Sequence, residues 1–157
     1  MNNSCGYEIR EALPDEWEDA MALAWRVFQK YEAKDYTDEG IRNFLDFISD
    51  NGLRKMFLIH EYHLWVAVDN EKIIGLISLR GKRHISLLFV DEKYHKQGVG
   101  KALMERLWIY LREQKESFCT VNSSPYAVGF YHRLGFRDLG EQRLDGGMLV
   151  TPMRTEL

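Results

Sequence analysis

The sequence predicts an α/β fold, with a mixed seven-stranded sheet covered by helices on both faces. Three observations indicate this class: short alternating or wholly apolar runs typical of strands, longer runs with helical apolar spacing, and one strand–helix–strand run that predicts parallel pairing. The chain has 157 residues, enough for one hydrophobic core, and no repeat, low-complexity tract or linker divides it. We therefore expect a single domain spanning residues 1–157.

Composition and charge exclude several classes of protein. The chain is 45% hydrophobic and 29% charged, which is typical of a globular protein, and no apolar stretch could cross a bilayer. The N-terminus MNNSCGYEIR lacks the pattern of a signal peptide. A net charge of −3 gives no general attraction to nucleic acid, so we expect neither a nucleic-acid nor a membrane partner. Only two cysteines occur, Cys5 and Cys119, which favours a reducing, cytoplasmic location.

The chain begins with a predicted strand and a helix. Residues 7–10 alternate between apolar and polar, as in a half-buried strand. Pro14 and the acids Asp15 and Glu16 suit the first turn of a helix, because proline fixes φ and negative charge complements the helix dipole. Its buried face is predicted to contain the apolar residues at helical spacing, namely Trp17, Ala20, Met21, Ala24, Phe28 and Tyr31.

A second helix is predicted to start at Thr37 as its N-cap. Tyr36 and Ile41 flank this cap at the spacing of a hydrophobic staple. The apolar stripe of the helix is predicted to be buried and consists of Ile41, Phe44, Leu45 and Ile48. Asn51-Gly52 is predicted to end the helix. The pattern of residues 53–60 fits either a further helical turn or an early strand.

Three strands follow. Residues 63–68 and 72–80 are predicted to form a hairpin around Asp69-Asn70. After a turn at Gly81-Lys82, residues 84–90 are almost entirely apolar. Such a strand is covered on both faces, which places it in the centre of the sheet.

The last third of the chain predicts a parallel crossover and two closing strands. A helix and a strand at residues 118–121 complete a right-handed strand–helix–strand unit. One side of that helix carries the residues expected in the core, which are Val99, Leu103, Leu107, Tyr110 and Leu111. Residues 126–134 form a helix that ends at Gly135, and the strands 136–142 and 148–153 lie on either side of a turn at Asp145-Gly146-Gly147.

The turn after the central strand carries the most informative motif. Residues 94–103 read YHKQGVGKAL, with Gly98 and Gly100 just before and at the start of a helix. Glycine lets the backbone approach a bulky anion, and the free N–H groups and dipole of a helix N-terminus attract pyrophosphate. A structural turn would also explain the glycines. A dinucleotide-binding fingerprint would need a third glycine and a later acidic residue, and a P-loop would need a hydroxyl residue directly after Gly100-Lys101. The sequence has none of these, so both nucleotide-binding motifs are excluded.

Two blocks of sequence resemble the GNAT superfamily of N-acetyltransferases. Residues 88–103 are similar to the acyl-CoA signature of that family, and residues 122–136, NSSPYAVGFYHRLGF, are similar to its second conserved block. Together with the order of elements, the resemblance extends over nearly the whole chain. One residue departs from the pattern: His95 stands where the family usually has arginine or glutamine.

The resemblance implies a splayed fourth and fifth strand that hold acetyl-CoA between them. The main chain of Leu88, Phe89 and Val90 would bind the pantetheine arm, and one of its N–H groups would polarise the thioester carbonyl. Asn122 would bind the same arm, unless it merely caps the next helix. The pyrophosphate would be held by the signature loop, with Lys96 or Lys101 adding charge; the loop consists of His95, Lys96, Gln97, Gly98, Val99, Gly100 and Lys101.

The resemblance also assigns candidate roles to side chains. Tyr131 matches the tyrosine that protonates the leaving thiolate, with core packing as the alternative. His84, at the start of the fourth strand, is a candidate general base because histidine titrates near neutral pH, although solvated histidines at strand ends are common. Glu32, Asp35 and Tyr36 lie where the family lines its acceptor site, where acids would suit a cationic amine; a solvated loop is the alternative.

The implied activity is transfer of an acetyl group from acetyl-CoA to a primary amine by direct attack, with CoA as product. Cys119 is then a buried strand residue rather than a nucleophile, and the histidines lack metal-ligand spacing, so we expect no metal. The acceptor would be a small-molecule or peptide amine, or else a protein N-terminus or lysine. The alternative from another class is a non-catalytic acyl-CoA sensor, and a homodimer is compatible with either.

Overall fold

The computed structural model describes residues 6–157, so Cys5 and the first part of the N-terminal segment lie outside the described residues. The helices are α1 (Trp17–Tyr31), α2 (Asp38–Ile48), α3 (Asn51–Leu58), α4 (Val99–Glu113) and α5 (Val128–Arg133). The strands are β1 (Glu8–Glu11), β2 (His63–Asp69), β3 (Lys72–Arg80), β4 (His84–Val90), β5 (Phe118–Ser123), β6 (Arg137–Asp138), β7 (Arg143–Asp145) and β8 (Met148–Glu156).

The strands form a mixed sheet in the order β1-β2-β3-β4-β5-β8-β6. The remaining strand, β7, pairs with β8 and is not part of this order. The β4–β5 pair is parallel, and the other pairs are antiparallel. The predicted mixed α/β fold is confirmed. The described strands number eight rather than seven, because the run predicted as one strand at 136–142 is only Arg137–Asp138, and Arg143–Asp145 pairs separately with β8.

The central pair of strands separates soon after it forms. β4 and β5 pair only at His84↔Thr120 and Ile85↔Val121, although both strands continue beyond these positions. This is the predicted splay of the fourth and fifth strands. A bulge accompanies it, since Ser78 pairs with Leu87 and Leu79 with Ile85, which leaves an extra residue in β4. Bulges bend the strand that carries them.

The extra residue at the bulge is Ser86, and two hydroxyl groups hold its side chain. Tyr62 Oη lies 2.6 Å from Ser86 Oγ and donates to Ser78 Oγ at 2.6 Å, and the two serine oxygens are 3.1 Å apart. Tyr62 is buried. The bulge also reverses the alternation of side chains, so Ile85 packs on one face of the sheet and Leu87 on the other.

Each face of the sheet carries its own apolar cluster. The cluster under α1, α2 and α3 includes Phe28, Phe44 and Phe89, and the cluster under α4 and α5 includes Leu103, Leu107 and Tyr131. The sheet is thus covered on both faces, as the apolar β4 run predicted.

The segment between α2 and β2 differs from the sequence-based expectation. α2 ends at Ile48, and Asn51-Gly52 begins α3 instead of ending α2, because the Asp50 side chain accepts from Gly52 N at 2.7 Å and caps a new helix. The ambiguous run 53–60 is therefore mostly helical. Leu45, predicted to be buried, is 38% exposed.

The start of α2 lies directly against the turn between β7 and β8. Thr37 caps the helix by accepting from Gly40 N at 3.1 Å, and Thr37 N donates to Gly147 O at 2.9 Å. Asn43 Nδ2 donates to Gly146 O at 2.9 Å. A side chain at Gly40 would overlap the backbone of Gly147, so the close approach requires glycine at position 40.

We expect Gly40→Ala to destabilise the protein by about 1–3 kcal/mol, because the new methyl group must displace the backbone of the β7–β8 turn. The free energy of unfolding in urea measures this effect. Gly140→Ala is the matched control, since its methyl group would meet Pro152 Cγ at an ordinary 3.6 Å. Equal stabilities of the two variants would show that the β7–β8 turn moves aside with no loss in the free energy of unfolding.

Candidate active site

A cleft of about 320 Å³ opens where β4 and β5 separate. Residues 84–89 of β4 form one wall and residues 121–124 form the other. Leu88, Phe89 and Asn122 from the predicted cofactor site line the cleft, whereas Val90 does not. The remaining lining comes from the turn after α1, α2, the end of β3, α5 with the turn before it, and the β7–β8 hairpin. The cleft is thus enclosed by elements from both halves of the chain.

The signature loop connects the end of β4 to α4. Gly98 is in the left-handed conformation at φ 81°, and a side chain there would find no atom within 4 Å. α4 starts at Val99 without a side-chain cap, so the N–H groups of its first turn are available to a ligand. Val99 itself is buried and contributes only its backbone, whereas Lys96 and Lys101 are exposed. This arrangement fits an anionic group such as pyrophosphate.

The side chain of His95 connects the loop to β4. Its Nε2 donates to the backbone oxygen of Val90 at 2.7 Å, and its ring lies 5.0 Å from that of Tyr31. Gln97 Nε2 donates to Lys93 O at 2.9 Å. Both side chains therefore stabilise the loop through hydrogen bonds to its own backbone and to β4. The groups that remain available to an anion are the backbone amides and the two exposed lysines.

Tyr131 reaches the cleft from α5. Its ring packs against Phe130 at 5.3 Å and Phe136 at 5.1 Å, and its side chain lines the cleft. Burial, followed by the negative charge of Glu32, raises the pKa of Tyr131 above its usual value. The side chain therefore stays protonated at neutral pH and can act as a proton donor.

His84 lines the cleft at the beginning of β4. Its Nδ1 shares a hydrogen bond of 2.8 Å with Thr120 Oγ1, across the parallel pair. Burial, with a smaller effect of the Arg80 charge, lowers the pKa of His84. The imidazole is therefore neutral at neutral pH.

The loop after α1 places Glu32 and Tyr36 in the cleft, whereas Asp35 does not line it. Burial raises the pKa of Glu32 to about 7; the nearby Ser124 hydroxyl offsets part of the rise and the charge of Asp35 adds to it. Burial and these two carboxylates raise the pKa of Tyr36. The predicted acceptor residues thus lie together, with Asp35 acting at a distance.

Several cleft residues were missed by sequence reasoning. Ser124 is only 7% exposed, and its Oγ has no partner in hydrogen-bonding geometry among the described residues. Its position two residues after Asn122 was the only local signal. Asn43, Arg80 and Asp145 also line the cleft, and no sequence pattern indicates them because distant segments bring them together.

Two features are absent from the described residues. Within residues 6–157, no helix is both long and apolar enough to span a membrane. The same part of the chain contains no group of three or more histidine, cysteine or acidic side chains placed to hold a metal ion.

A splayed parallel pair beside an anion-binding helix N-terminus defines a class of α/β acyltransferases. Residues 32–157 match the family of acetyltransferase (GNAT) domains, so the chain belongs to the GNAT family and is an N-acetyltransferase. It is 29% identical over 145 residues to the uncharacterized N-acetyltransferase YafP of Escherichia coli, covering 92% of this chain and 89% of YafP. It is also 29% identical over 145 residues to the peptidyl-lysine N-acetyltransferase YjaB of Escherichia coli, covering 87% and 86% of the two chains.

Solved structures share this fold. A GCN5-related N-acetyltransferase from Rhodopseudomonas palustris superposes with a TM-score of 0.82 at 22% identity, covering 96% of this chain and 95% of that chain. The PaiA N-acetyltransferase from Thermoplasma acidophilum, solved in complex with coenzyme A, has a TM-score of 0.78 at 18% identity and covers 96% and 99%. At these identities the likeness is one of fold.

We expect the raised pKa of Glu32 to make stability depend on pH. Between about pH 4.5, where the unfolded carboxyl titrates, and about 7, the folded state binds more protons, so stability falls as pH rises through this window. A shift of this size corresponds to about 3 kcal/mol at most. Glu32→Gln removes the effect, so its stability relative to the wild type should rise from pH 4.5 to pH 8 in urea unfolding experiments.

Glu39→Gln is the control for this experiment, because it makes the same glutamate-to-glutamine change at an exposed position of α2. Its stability relative to the wild type should not follow pH in this way. A constant difference between Glu32→Gln and the wild type across the window would mean that Glu32 titrates normally.

Proposed function

We propose that the protein transfers an acetyl group from acetyl-CoA to a primary amine and releases CoA. The observation that carries this proposal is a cleft lined by the open edge of β4 and by Tyr131, with the anion-binding loop directly following β4 in the chain. The PaiA structure, which was solved with coenzyme A and shares the fold, supports the same ligand here.

The acyl donor is held mainly by backbone groups. The first-turn amides of α4 bind the pyrophosphate, with charge from Lys96 and Lys101. Beyond Ile85 the edge of β4 is not paired with β5, so the backbone from Leu88 to Val90 is available to bind the pantetheine arm as an added strand would, except for the Val90 carbonyl, which accepts from His95. Asn122 faces the arm from β5, and one β4 amide polarises the thioester carbonyl.

Tyr131 is the proposed proton donor to the leaving thiolate. Its phenol ring is held by Phe130 and Phe136, and the side chain lines the cleft. A protein that only sensed acyl-CoA would need no such proton donor. The tyrosine therefore favours turnover over the sensor alternative.

The proposed acceptor is a primary amine that enters past Glu32 and Tyr36. YjaB, similar along most of the chain, is named a peptidyl-lysine N-acetyltransferase, so a lysine side chain in a peptide is the first acceptor to test. A protein N-terminus is the second. The role of His84 as general base stays a prediction, consistent with its neutral imidazole in the cleft.

We expect acetyl-CoA to raise the melting temperature of the protein by mass action, and Gly98→Val to abolish this increase. The branched side chain disfavours the left-handed backbone at position 98 and fills the space in front of the helix. Gly81→Val is a matched control, since Gly81 has φ 67°, no atom within 4 Å and a position outside the cleft. Thermal melts with and without acetyl-CoA measure both; an increase kept by Gly98→Val would contradict the proposed pyrophosphate site.

We expect Tyr131→Phe to leave acetyl-CoA affinity nearly unchanged and to lower kcat by roughly 10²–10⁴-fold, since the ring packing remains and only the proton donor is lost. Release of CoA thiol with a lysine peptide measures turnover, and calorimetry measures affinity. Tyr110→Phe makes the same change on α4, outside the cleft, and should turn over normally. Normal turnover by Tyr131→Phe would assign the ring to packing alone.

A further inference from the structure

Three side chains from three separate elements meet at one side of the cleft. Glu32 follows the last residue of α1, Ser124 follows β5, and Tyr131 belongs to α5; all three line the cleft. We call them the Glu32 cluster. In the part of the chain that the structure describes, no lysine, arginine or histidine forms an ion pair with Glu32. The cluster thus contains a carboxylate whose charge no side chain neutralises.

The position of Glu32 is unfavourable for a negative charge. It caps the C-terminus of α1, where the helix dipole is itself negative, and Asp35 adds a second negative charge nearby. Burial and Asp35 raise the pKa of Glu32 to about 7. A carboxylate that titrates near neutral pH is ionised often enough to accept a proton and basic enough to hold it.

The negative charge of Glu32 influences the proposed acid. Its negative charge raises the pKa of Tyr131 in α5, as well as those of Tyr36 and Tyr126. Two groups change the pKa of Glu32, namely Asp35 and the Ser124 hydroxyl. The charge of Glu32 in turn contributes to the raised pKa of the three phenols. Because the phenols stay neutral at neutral pH, the proton on Glu32 is controlled by the carboxylates and by what enters the cleft.

The hydroxyl of Ser124 is a second polar group at this side of the cleft. Its Oγ is buried, makes no hydrogen bond of good geometry with the described residues, and lies close enough to the Glu32 carboxylate to lower the pKa of that group. Buried hydroxyl groups in native proteins are nearly always hydrogen bonded. A polar hydrogen or lone pair of a bound molecule at this side of the cleft would satisfy it.

His84 lies in a different environment from the Glu32 cluster. Its Nδ1 is engaged with Thr120, and the Arg80 charge lowers its pKa. Arg80 also lines the cleft, makes no ion pair within the described residues, and would repel an incoming ammonium group. Among the side chains that line the cleft, Glu32 therefore attracts a cationic acceptor, whereas Arg80 repels it.

We propose that Glu32 is the catalytic base, which takes the proton from the ammonium form of the acceptor while Ser124 Oγ orients that nitrogen. This assignment rests on the acetyl transfer proposed above. Loss of the proton frees the nitrogen lone pair, which attacks the thioester carbon. A C–N bond forms and the C–S bond breaks, with no change in oxidation state.

The protons balance between Glu32 and Tyr131. The departing thiolate takes the phenol proton of Tyr131, and the second surplus proton on nitrogen returns to the phenolate. Glu32 then releases its proton to solvent. The net change converts an ammonium ion and a thioester into an amide, a thiol and one released proton. A protonated Glu32 no longer raises the pKa of Tyr131, so the acid is strengthened at the point where it must donate.

The test is kcat/KM against pH, with acetyl-CoA and a blocked peptide that contains one internal lysine. The wild type should show a rising limb near pH 7. Glu32→Gln should move that limb to the range of the free amine, near 10, and lower kcat/KM at pH 7.5 by roughly 10²–10⁴-fold. Glu39→Gln, on the exposed side of α2, should retain the wild-type profile.

The His84→Gln variant decides between the two candidate bases. A limb near pH 7 that persists in His84→Gln and is lost in Glu32→Gln supports the proposal. A limb that persists in Glu32→Gln and is lost in His84→Gln overturns it, and so do superimposable profiles for all variants. Calorimetry with acetyl-CoA verifies that each variant still folds and binds the donor.

A second measurement does not depend on turnover. Carboxyl-carbon NMR should show one resonance, absent from Glu32→Gln, that titrates near pH 7; titration near an ordinary 4.3 overturns the proposal. Absence of thiol release by the wild type with lysine and N-terminal peptides would instead count against the proposed acetyl transfer. The two failures are therefore distinguishable.

Discussion

The limited pairing between β4 and β5 is the constraint on which the rest of the site depends. Only two residue pairs join these strands, at His84 and Ile85, before the strands separate. Beyond that point the edge of β4 has backbone groups that no strand satisfies, and the cleft exists because nothing in the fold fills the gap. The bulge at Ser86, held by Tyr62 and Ser78, bends β4 at this position.

The unpaired backbone between β4 and β5 lowers the stability of the sheet, and packing on its two faces compensates for this loss. Separate apolar clusters on the two faces hold β4 in place from both sides, so the strand does not need β5 beyond Ile85. The α2 N-terminus and the β7–β8 turn, in contact through Gly40 and Gly147, close the cleft from the far side. The walls of the site are therefore packed against the rest of the fold although its strands are apart.

The sequence predicted those parts of the fold and site that depend on local patterns. The β4 run, the β2–β3 hairpin and the glycine turn before α4 were all identified, because periodicity and turn residues determine them. The α2–α3 boundary was not, since Asn51-Gly52 reads equally well as a helix end or as a first turn capped by Asp50. Ser124, Arg80 and Asp145 were missed because only tertiary contacts bring them to the cleft.

The buried carboxylate of Glu32 costs the fold stability, so its presence in the cleft needs an explanation other than packing. Glu32 combines burial, a neighbouring carboxylate and a helix C-terminus, and each of these opposes its ionisation. A neutral side chain of the same size would suit the folded state better at neutral pH. Glycine at position 40 is required by packing, whereas no packing requirement explains a carboxylate at position 32. A cationic acceptor bound as proposed would compensate for that cost with its own charge.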